Sequence, residues 1–529
     1  MWWKYILPFV KMILFIITYP YSIIHSFFIN STCVPAITNP LLLKSAKQLA
    51  DMIRNQKVTC TEVVLAFITR MQTVNPIING IVQDRFEDAL NQAKLVDEMI
   101  QANPDPNYWE TTKPLLGVPL TVKECIAVSG MSHNVGRTIP EQRIAKKDAE
   151  AVANFRSAGA IPIAVTNTPE LCCFWESYNR RTGLTKNPYD TRRVAGGSSG
   201  GEGALLAAGG SAFGLGSDGL GSSRLPAHFC GIFAHKPSPN IISGDGHIPT
   251  NFQKEWDDYL TNAPLSRHAE DLPLMLSVAA PQTSKLLNLE QPVDFSKLKV
   301  YYYIDDRHHF PNLLHPDIRK AVRKSASHFE KFGVEPKKVY IRHFQSTLMT
   351  LISIMLRMGA SHNIFQRSDD AEDFSKWDVL REMLLNIFGL GKYHIYSVMY
   401  GTGKIINDLL PQSYEDHMRK VKQEIANCLE ELLENVGVLI LPAFPEVAPL
   451  HFQMYYKWTN VVYLTLSNLV GLPSTVCPVG LNEDGLPFGV QIIASRNQDR
   501  LTLAVARELE KAFGGWIPPQ MENSQKKLR

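Results

Sequence analysis

The chain has 529 residues, of which 45% are hydrophobic and 20% are charged, a globular composition that excludes a largely disordered protein. Its 54 basic and 51 acidic residues leave a net charge of +3, which gives no electrostatic reason to expect a nucleic-acid partner. The 8 Cys are scattered, and neither C-x-x-C nor H-E-x-x-H occurs, so we expect no disulfide scaffold, no metal and no cofactor.

The N-terminal segment is strongly apolar. Residues 12–43 contain no Asp, Glu, Lys or Arg, and their apolar core is just long enough to span the hydrocarbon of a bilayer. We therefore predict that residues 1–43 are a membrane anchor and its connector. Two alternatives stay open: a signal peptide cleaved near residues 34–36, and a membrane-inserted hairpin broken at Pro8 and Pro20.

The rest of the chain alternates between helical and strand patterns. Capping boxes beginning at Ser45 and Thr59 predict the starts of two amphipathic helices. Short apolar runs bounded by Gly or Pro predict buried strands at 117–122, 160–165, 437–441 and 489–493. This alternation predicts an α/β fold with one large domain at 44–516, a helix-rich insertion at 296–436 and a polar C-terminal tail at 517–529.

A segment rich in Gly and Ser, residues 196–222, is the strongest candidate for chemistry. A flexible linker is disfavoured because residues 204–208 form a small-residue helical pattern and two charged residues bracket the last Ser. A phosphate-binding loop is disfavoured because G-x-x-x-x-G-K-[ST] is absent. A serine-hydrolase elbow fits G-x-S-x-G, but the preceding residues 192–195 do not form the buried strand that such an elbow requires.

A serine activated by a lysine is the remaining alternative. A serine hydroxyl is a weak nucleophile until a base takes its proton. An uncharged lysine can be that base, and burial favours the uncharged form. Lys123 directly follows the apolar run 117–122, a position suited to desolvation, although a lone lysine at a strand end more often lies on the surface.

Several motifs, in one order along the chain, resemble the amidase signature family. They are Gly117-Val-Pro-Leu-Thr-Val-Lys123, Gly196-Gly-Ser-Ser-Gly-Gly201, Gly216-Ser-Asp-x-x-Gly-Ser222-x-Arg224 and Gly231-Ile-Phe-Ala-His-Lys-Pro237. The resemblance extends from about residue 45 to about residue 516. It implies a single large domain with a mixed central sheet flanked by helices.

The resemblance also implies a Ser-cisSer-Lys triad. Lys123 matches the base, Ser198 the bridging serine that follows a cis peptide bond at Gly197-Ser198, and Ser222 the nucleophile. In this scheme Lys123 draws a proton from Ser198, and Ser198 draws one from Ser222. Ser222 then attacks the acyl carbonyl, the leaving amine takes the proton, and water later releases the acyl group. Cys172 matches a substrate-pocket position of the family.

The turn before the nucleophile matches the family's oxyanion hole, which is built from backbone N–H groups of residues 219–222. The family usually has Asp-Ile-Gly-Gly-Ser-Ile-Arg, whereas this chain has Asp218-Gly219-Leu220-Gly221-Ser222-Ser223-Arg224. Leu220 therefore stands where the family has Gly, and a positive φ there would strain it by about 1–3 kcal/mol. Asp218 and Arg224 match positions that support the loop through polar contacts.

Together with the apolar N-terminal segment, the resemblance implies a membrane-associated serine amidase that hydrolyses fatty-acid amides, such as N-acylethanolamines and primary fatty amides. The expected partners are a small-molecule lipid amide and a membrane, with a homodimer left open and no nucleic acid. The membrane would be an endomembrane, either the endoplasmic reticulum or a lipid droplet. Residues 383–399 are apolar enough for a membrane-facing cap and equally for packing inside the insertion.

Two other functions stay open at this point. A catalytically impaired protein that only binds lipid amides is motivated by Leu220. The amidase component of a glutamine amidotransferase is the other alternative, but such a component would need partner chains and no anchor.

Overall fold

The computed structural model describes residues 3–29, 31–139, 142–250, 253–305, 314–358 and 375–519. Within these ranges the chain forms an 11-stranded sheet and a separate two-stranded hairpin. The strands are β1 (Ile81–Asp84), β2 (Pro119–Lys123), β3 (Ile161–Thr166), β4 (Tyr178–Asn179), β5 (Gly183–Leu184), β6 (Phe213–Asp218), β7 (Phe233–Lys236), β8 (Thr261–Ser266), β9 (Lys299–Tyr302), β10 (Lys337–Lys338), β11 (Gly437–Pro442), β12 (Ser474–Leu481) and β13 (Pro487–Ala494).

The large sheet is mixed, as expected. Its order is β1-β3-β2-β6-β8-β7-β12-β13-β11-β9-β10. Strands β3, β2 and β6 run parallel to one another, as do β11, β9 and β10, while antiparallel pairs join these two groups. The four strands predicted from apolar runs are confirmed as β2, β3, β11 and β13.

Helices flank this sheet. They are α1 (Trp3–Phe28), α2 (Ala46–Arg54), α3 (Cys60–Ile78), α4 (Phe86–Ala102), α5 (Pro106–Thr112), α6 (Glu150–Ser157), α7 (Gly200–Ala207), α8 (Arg224–Cys230), α9 (Asp271–Ala279), α10 (Pro316–Ser327), α11 (Thr347–Arg357), α12 (Lys376–Ile387), α13 (Ile395–Asp408), α14 (Gln412–Leu433), α15 (Met454–Lys457), α16 (Val462–Leu469) and α17 (Asp499–Phe513). Both predicted capping boxes are confirmed, with Ser45 and Thr59 at the N-caps of α2 and α3.

The region 296–436 contributes helices α10 to α14 and also two strands. Strand β9 pairs with β11 and β10 in parallel, so this region forms one edge of the main sheet. Within the region, residues 306–313 and 359–374 lie outside the described residues. Of the predicted tail 517–529, residues 520–529 also lie outside them.

The N-terminal helix α1 is continuous and contains both Pro8 and Pro20, so the alternative of a hairpin broken at these prolines is wrong. Its segment Leu7–Phe28 is long and apolar enough to cross a membrane. The helix also lies against the rest of the molecule, and the Lys11 side chain, although it carries an amine, is buried there.

The elements that frame the candidate site meet at one edge of the sheet. Strands β2 and β6 are parallel neighbours, with Val122 paired to Leu215, so their carboxyl ends lie side by side. Strand β2 ends at Lys123 and β6 ends at Asp218. Helix α7 begins just after Ser199, and α8 begins just after Ser223. The carboxyl ends of parallel strands are where α/β proteins usually hold their ligands.

Candidate active site

Lys123 is fully buried and lies within hydrogen-bond distance of two hydroxyl groups. Its Nζ is 2.6 Å from Ser198 Oγ and 3.1 Å from Ser217 Oγ. The structure therefore brings together Lys123 and Ser198, 75 residues apart in the chain. No role was predicted for Ser217 from the sequence, although it lies inside the motif that begins at Gly216.

Ser198 lies in a tightly enclosed segment before α7. The Gly197–Ser198 peptide bond is cis, as the resemblance implied. A Cβ at Gly197 would lie 2.7 Å from the Phe174 carbonyl oxygen and 2.7 Å from the Trp175 carbonyl carbon, so this segment is pressed against the chain before Ser177. Ser177 Oγ in turn donates to the Gly196 carbonyl at 3.0 Å. Close packing of backbone on backbone fixes the position of the Ser198 hydroxyl.

Ser222 lies in the turn between β6 and α8, is half-buried, and lines the same cavity as Ser198. The Ser199 N–H donates to the Ser222 carbonyl at 3.0 Å. This bond ties the two serine-bearing segments together through their backbones. Ser198 and Ser222 therefore line one cavity, and Lys123 contacts Ser198.

The turn 218–222 is shaped by Asp218 and Gly221. Asp218 Oδ1 accepts from the Gly221 N–H at 2.9 Å, and Oδ2 accepts from the Ser223 hydroxyl at 2.8 Å. In the described turn the left-handed residue is Gly221, with φ of +89°, and Leu220 is not left-handed. The strain considered for Leu220 therefore does not arise, because the position that needs glycine still has it.

Gly219 and Leu220 have other environments. A Cβ at Gly219 would lie 3.4 Å from Leu260, an ordinary contact, so space does not demand glycine there. The Leu220 carbonyl accepts from Trp175 Nε1 at 3.0 Å, and Leu220 lines the cavity. The exchange of Gly and Leu in this chain thus alters the cavity wall and leaves the backbone of the turn unstrained.

Arg224 and Asp218 form an ion pair with no exposed surface. Arg224 Nη2 is 2.9 Å from Asp218 Oδ1, and Nε is 3.0 Å from Oδ2. Burial alone would raise the pKa of Asp218, but the Arg224 guanidinium and Lys236 hold it well below its usual range. Arg224 also donates to the Leu464 carbonyl at 2.9 Å and to Asn468 Oδ1 at 2.6 Å, which anchors the turn to α16.

The cavity has a volume of about 260 Å³, and Ser198, Ser217 and Ser222 are among the residues that line it. Cys172 lies on its wall, as expected for a pocket residue. Other lining residues are apolar or aromatic and come from several elements: Leu14, Phe174, Trp175, Trp256, Leu260, Ile352, Met355, Tyr396, Met399, Tyr455 and Trp458. Such a wall favours a long apolar ligand whose polar group reaches the serines.

The buried carboxyl group of Glu202 holds α7, the helix that begins just after Ser199, in place. Glu202, in the first turn of α7, accepts from Thr121 Oγ1 and Thr166 Oγ1, each at 2.8 Å. Burial raises the pKa of Glu202 to about 8, and the two threonine hydroxyls offset this only in part. These bonds connect α7 to β2 and β3. Glu202 was not predicted as part of the site, because a lone Glu in a Gly-rich run carries no distinctive signal.

The chain is similar to known proteins along most of its length. The family model described as Amidase matches residues 62–503. Fatty-acid amide hydrolase 2-A of Danio rerio is 38% identical over 495 residues, covering 92% of this chain and 92% of that protein. A glutamyl-tRNA(Gln) amidotransferase subunit of Caldanaerobacter subterraneus is 27% identical over 506 residues, covering 89% of this chain and 97% of that protein. A solved structure of a fatty acid amide hydrolase has a TM-score of 0.71 at 21% identity, covering 90% of this chain and 86% of that one.

The raised pKa of Glu202 predicts a specific dependence of stability on pH. Between its unfolded value of about 4.3 and its folded value of about 8, the unfolded chain releases a proton that the folded chain keeps, so stability falls as pH rises. The Glu202→Gln variant has no ionisable group at this position, so it lacks this pH-dependent contribution to stability. The thermal midpoint of the variant relative to wild type should therefore rise from pH 5 to pH 8, as measured by thermal unfolding of both proteins in detergent. A difference that stays constant over this range would contradict the assignment.

Proposed function

Because the chain belongs to the amidase signature family, we propose that it is a membrane-associated serine amidase that cleaves fatty-acid amides through an acyl-enzyme. Family membership makes it a hydrolase of carbon–nitrogen bonds in linear amides. The observation that carries the proposed mechanism is the 2.6 Å contact between Lys123 Nζ and Ser198 Oγ in a position without solvent.

The proton path follows from the donors and acceptors around Lys123. An uncharged amine has two N–H donors and one lone pair. In the proposed mechanism the Lys123 amine acts in this form: it donates to Ser217 Oγ across the 3.1 Å contact and accepts the Ser198 proton across the 2.6 Å contact. Ser198 then accepts the proton of Ser222 as that hydroxyl attacks the acyl carbonyl. The proton returns along the same path to the leaving nitrogen, which is needed because an amide anion is a poor leaving group.

The oxyanion of the tetrahedral intermediate is bound by backbone amides of the turn. The Gly221 N–H is already engaged by Asp218, so the donors are the N–H groups of Gly219, Leu220 and Ser222. One such donor typically lowers a barrier by about 2.7–4 kcal/mol. The left-handed Gly221 lets the turn adopt this shape without strain, which favours an active enzyme over a protein that only binds lipid amides.

The apolar cavity supports a fatty acyl group as the part of the substrate on the acyl side. Its wall is mainly aromatic and aliphatic, and Ser198, Ser217 and Ser222 also line it. A small polar amide would leave this wall unused. The relative named as a fatty-acid amide hydrolase is 38% identical, against 27% for the amidotransferase component, which favours the lipid substrate over the amidotransferase alternative.

Helix α1 supplies the membrane attachment and lies beside the cavity. Leu14 of α1 lines the cavity wall. Lys11 Nζ donates to Thr459 Oγ1 at 2.8 Å, and Gln453 Nε2 donates to Ser22 Oγ at 3.3 Å. These contacts span 11 residues, about 16 Å of helix, so one side of α1 is docked along the domain. The helix therefore lies in the plane of the interface as a monotopic anchor and does not cross the bilayer.

The side of α1 that does not contact the domain carries exposed apolar side chains, and so does the region of α12. The largest exposed apolar side chains of these two regions are Phe9, Ile16, Ile17, Ile24, Phe27, Phe28, Trp377, Leu384, Phe388 and Leu390. In contrast, Tyr396 of α13 is buried and stacks on Phe174 in the cavity wall. We propose that both interpretations of residues 383–399 apply, each to a different part. The exposed Leu384, Phe388 and Leu390 support a membrane-facing first part, and the buried Tyr393 and Tyr396 support internal packing of the second. In this proposal a lipid amide enters the cavity between the exposed side of α1 and the region of α12.

Replacing the nucleophile tests the mechanism. Ser222→Ala should abolish labelling by a fluorophosphonate probe and lower amide hydrolysis by several orders of magnitude, since loss of a serine nucleophile can cost about 10⁶-fold. Hydrolysis is measured by mass spectrometry on a panel of fatty-acid primary amides and ethanolamides. The matched control is Ser223→Ala, which removes the adjacent hydroxyl and should keep the labelling. Persistent labelling of Ser222→Ala would place the nucleophile elsewhere.

The monotopic anchor predicts the topology of the chain. An N-terminal and a C-terminal epitope tag should have the same fate when protease is added to intact microsomes, either both digested or both protected, because α1 does not cross the bilayer. Microsomes opened with detergent give the control for complete digestion. Protection of one tag and digestion of the other would mean that α1 spans the bilayer and is not docked along the domain.

A further inference from the structure

A cluster of two thiols and one imidazole lies directly beside the proposed proton path. Cys125, Cys172 and His247 come from three separate parts of the chain, and their sulfur and ring nitrogen atoms all lie within 4.8 Å of one another. Cys125 and His247 are buried, while Cys172 lines the cavity. The proposed mechanism uses neither Cys125 nor His247.

The imidazole of His247 is oriented as metal-binding histidines usually are. Its Nδ1 lies 2.8 Å from the Pro249 carbonyl oxygen. A carbonyl can only accept, so Nδ1 carries the proton and Nε2 presents its lone pair. That Nε2 is 3.3 Å from Cys125 Sγ. A hydrogen bond from the second ring nitrogen to a carbonyl is the common way in which proteins fix the tautomer of a histidine ligand.

The spacing also suits a tetrahedral ion of the zinc class. Ligand bonds of about 2.3 Å to sulfur and about 2.0–2.1 Å to nitrogen place neighbouring sulfur and nitrogen ligands about 3.5 Å apart. The observed separation of 3.3 Å between Cys125 Sγ and His247 Nε2 is close to that value. Cys172 supplies a second sulfur from the cavity side, so an ion entering from the cavity meets three ligands and keeps its fourth position open.

We propose that Cys125, Cys172 and His247 form an inhibitory site for a zinc-class divalent cation at the wall of the cavity. Binding converts both thiols to thiolates and releases two protons, so the ligands leave the bound site without net charge. Cys125 Sγ is 3.5 Å from Ser217 Oγ, which is 3.1 Å from Lys123 Nζ. A bound cation perturbs the Ser217 hydroxyl, which is hydrogen-bonded to Lys123. It also occupies space in the cavity beside Cys172, so amide hydrolysis stops.

The test uses Co²⁺ and Zn²⁺ on the full-length protein in detergent. Co²⁺ should produce a thiolate-to-cobalt charge-transfer band in the near ultraviolet, and Zn²⁺ should remove that band. Zn²⁺ should inhibit hydrolysis over the same concentration range, and a chelator should restore it. The band should form equally in Ser222→Ala, which keeps this test separate from that of the proposed function.

Two variants and one control decide the assignment. His247→Gln and Cys125→Ser should each weaken Co²⁺ binding by more than about 100-fold, because loss of even an outer partner of a metal ligand costs about 10–100-fold. Cys428→Ser is the matched control, since Cys428 is half-buried on α14 and should leave the band unchanged. Absence of the band in wild type, or a band and inhibition that survive in both variants, would overturn the proposal.

Discussion

The burial of one lysine side chain at the end of β2 is the constraint on which the rest of the site depends. A polar group taken out of water destabilises the fold unless it finds hydrogen-bond partners. Lys123 finds them in the hydroxyls of Ser198 and Ser217, at 2.6 Å and 3.1 Å. Meeting both requires that β2, β6 and the segment before α7 keep fixed positions relative to one another. The same enclosure holds the amine against the Ser198 hydroxyl, from which the proposed mechanism draws a proton.

Two further buried groups hold those positions. Glu202 bonds to threonines on β2 and β3, and so fixes α7, which follows Ser198. The ion pair of Asp218 and Arg224 fixes the turn after β6, and Arg224 connects it to α16 and, through Gln491 Oε1 at 3.1 Å, to β13. A buried ion pair is costly to break from one side, because the remaining charge is left without a partner. The geometry of the turn is therefore coupled to the packing of α16 and β13.

Local patterns in the sequence predicted a large part of this arrangement. The strand that ends in Lys123 and the capping boxes are local signals, whereas the roles of the serine-bearing motifs came from the resemblance to a family. Strand β6 was not predicted because Gly214 and Gly216 interrupt its apolar pattern. The structure explains why both positions are glycine. A side chain at Gly214 would collide with the Glu202 carboxylate, and a Cβ at Gly216 would lie 2.8 Å from Ser199 Oγ. Contacts between distant segments dictate these glycines, and no local pattern records such contacts.

The cluster of Cys125, Cys172 and His247 was not predicted for a similar reason, since its ligands lie in three segments without a metal-binding spacing. The docking of α1 along the domain likewise depends on tertiary contacts, because composition predicts an apolar helix and cannot predict which of its sides is covered. These features share one cavity, because Leu14 of α1, Cys172 and the serines all line it. The proposed access from the membrane, the proposed reaction and its proposed inhibition thus involve a single space.

The most direct test of the central claim is the rate at which a fluorophosphonate labels Ser222 in Lys123→Met, measured against pH beside wild type. If Lys123 draws the proton through Ser198, labelling of the variant should be slower by about 10²–10⁴-fold near neutral pH. The labelling rate of the variant should then increase steadily with pH, because hydroxide takes the proton in place of the missing lysine. A variant that is folded and labels at the wild-type rate would contradict the account, because the buried lysine would then play no part in activating the serine.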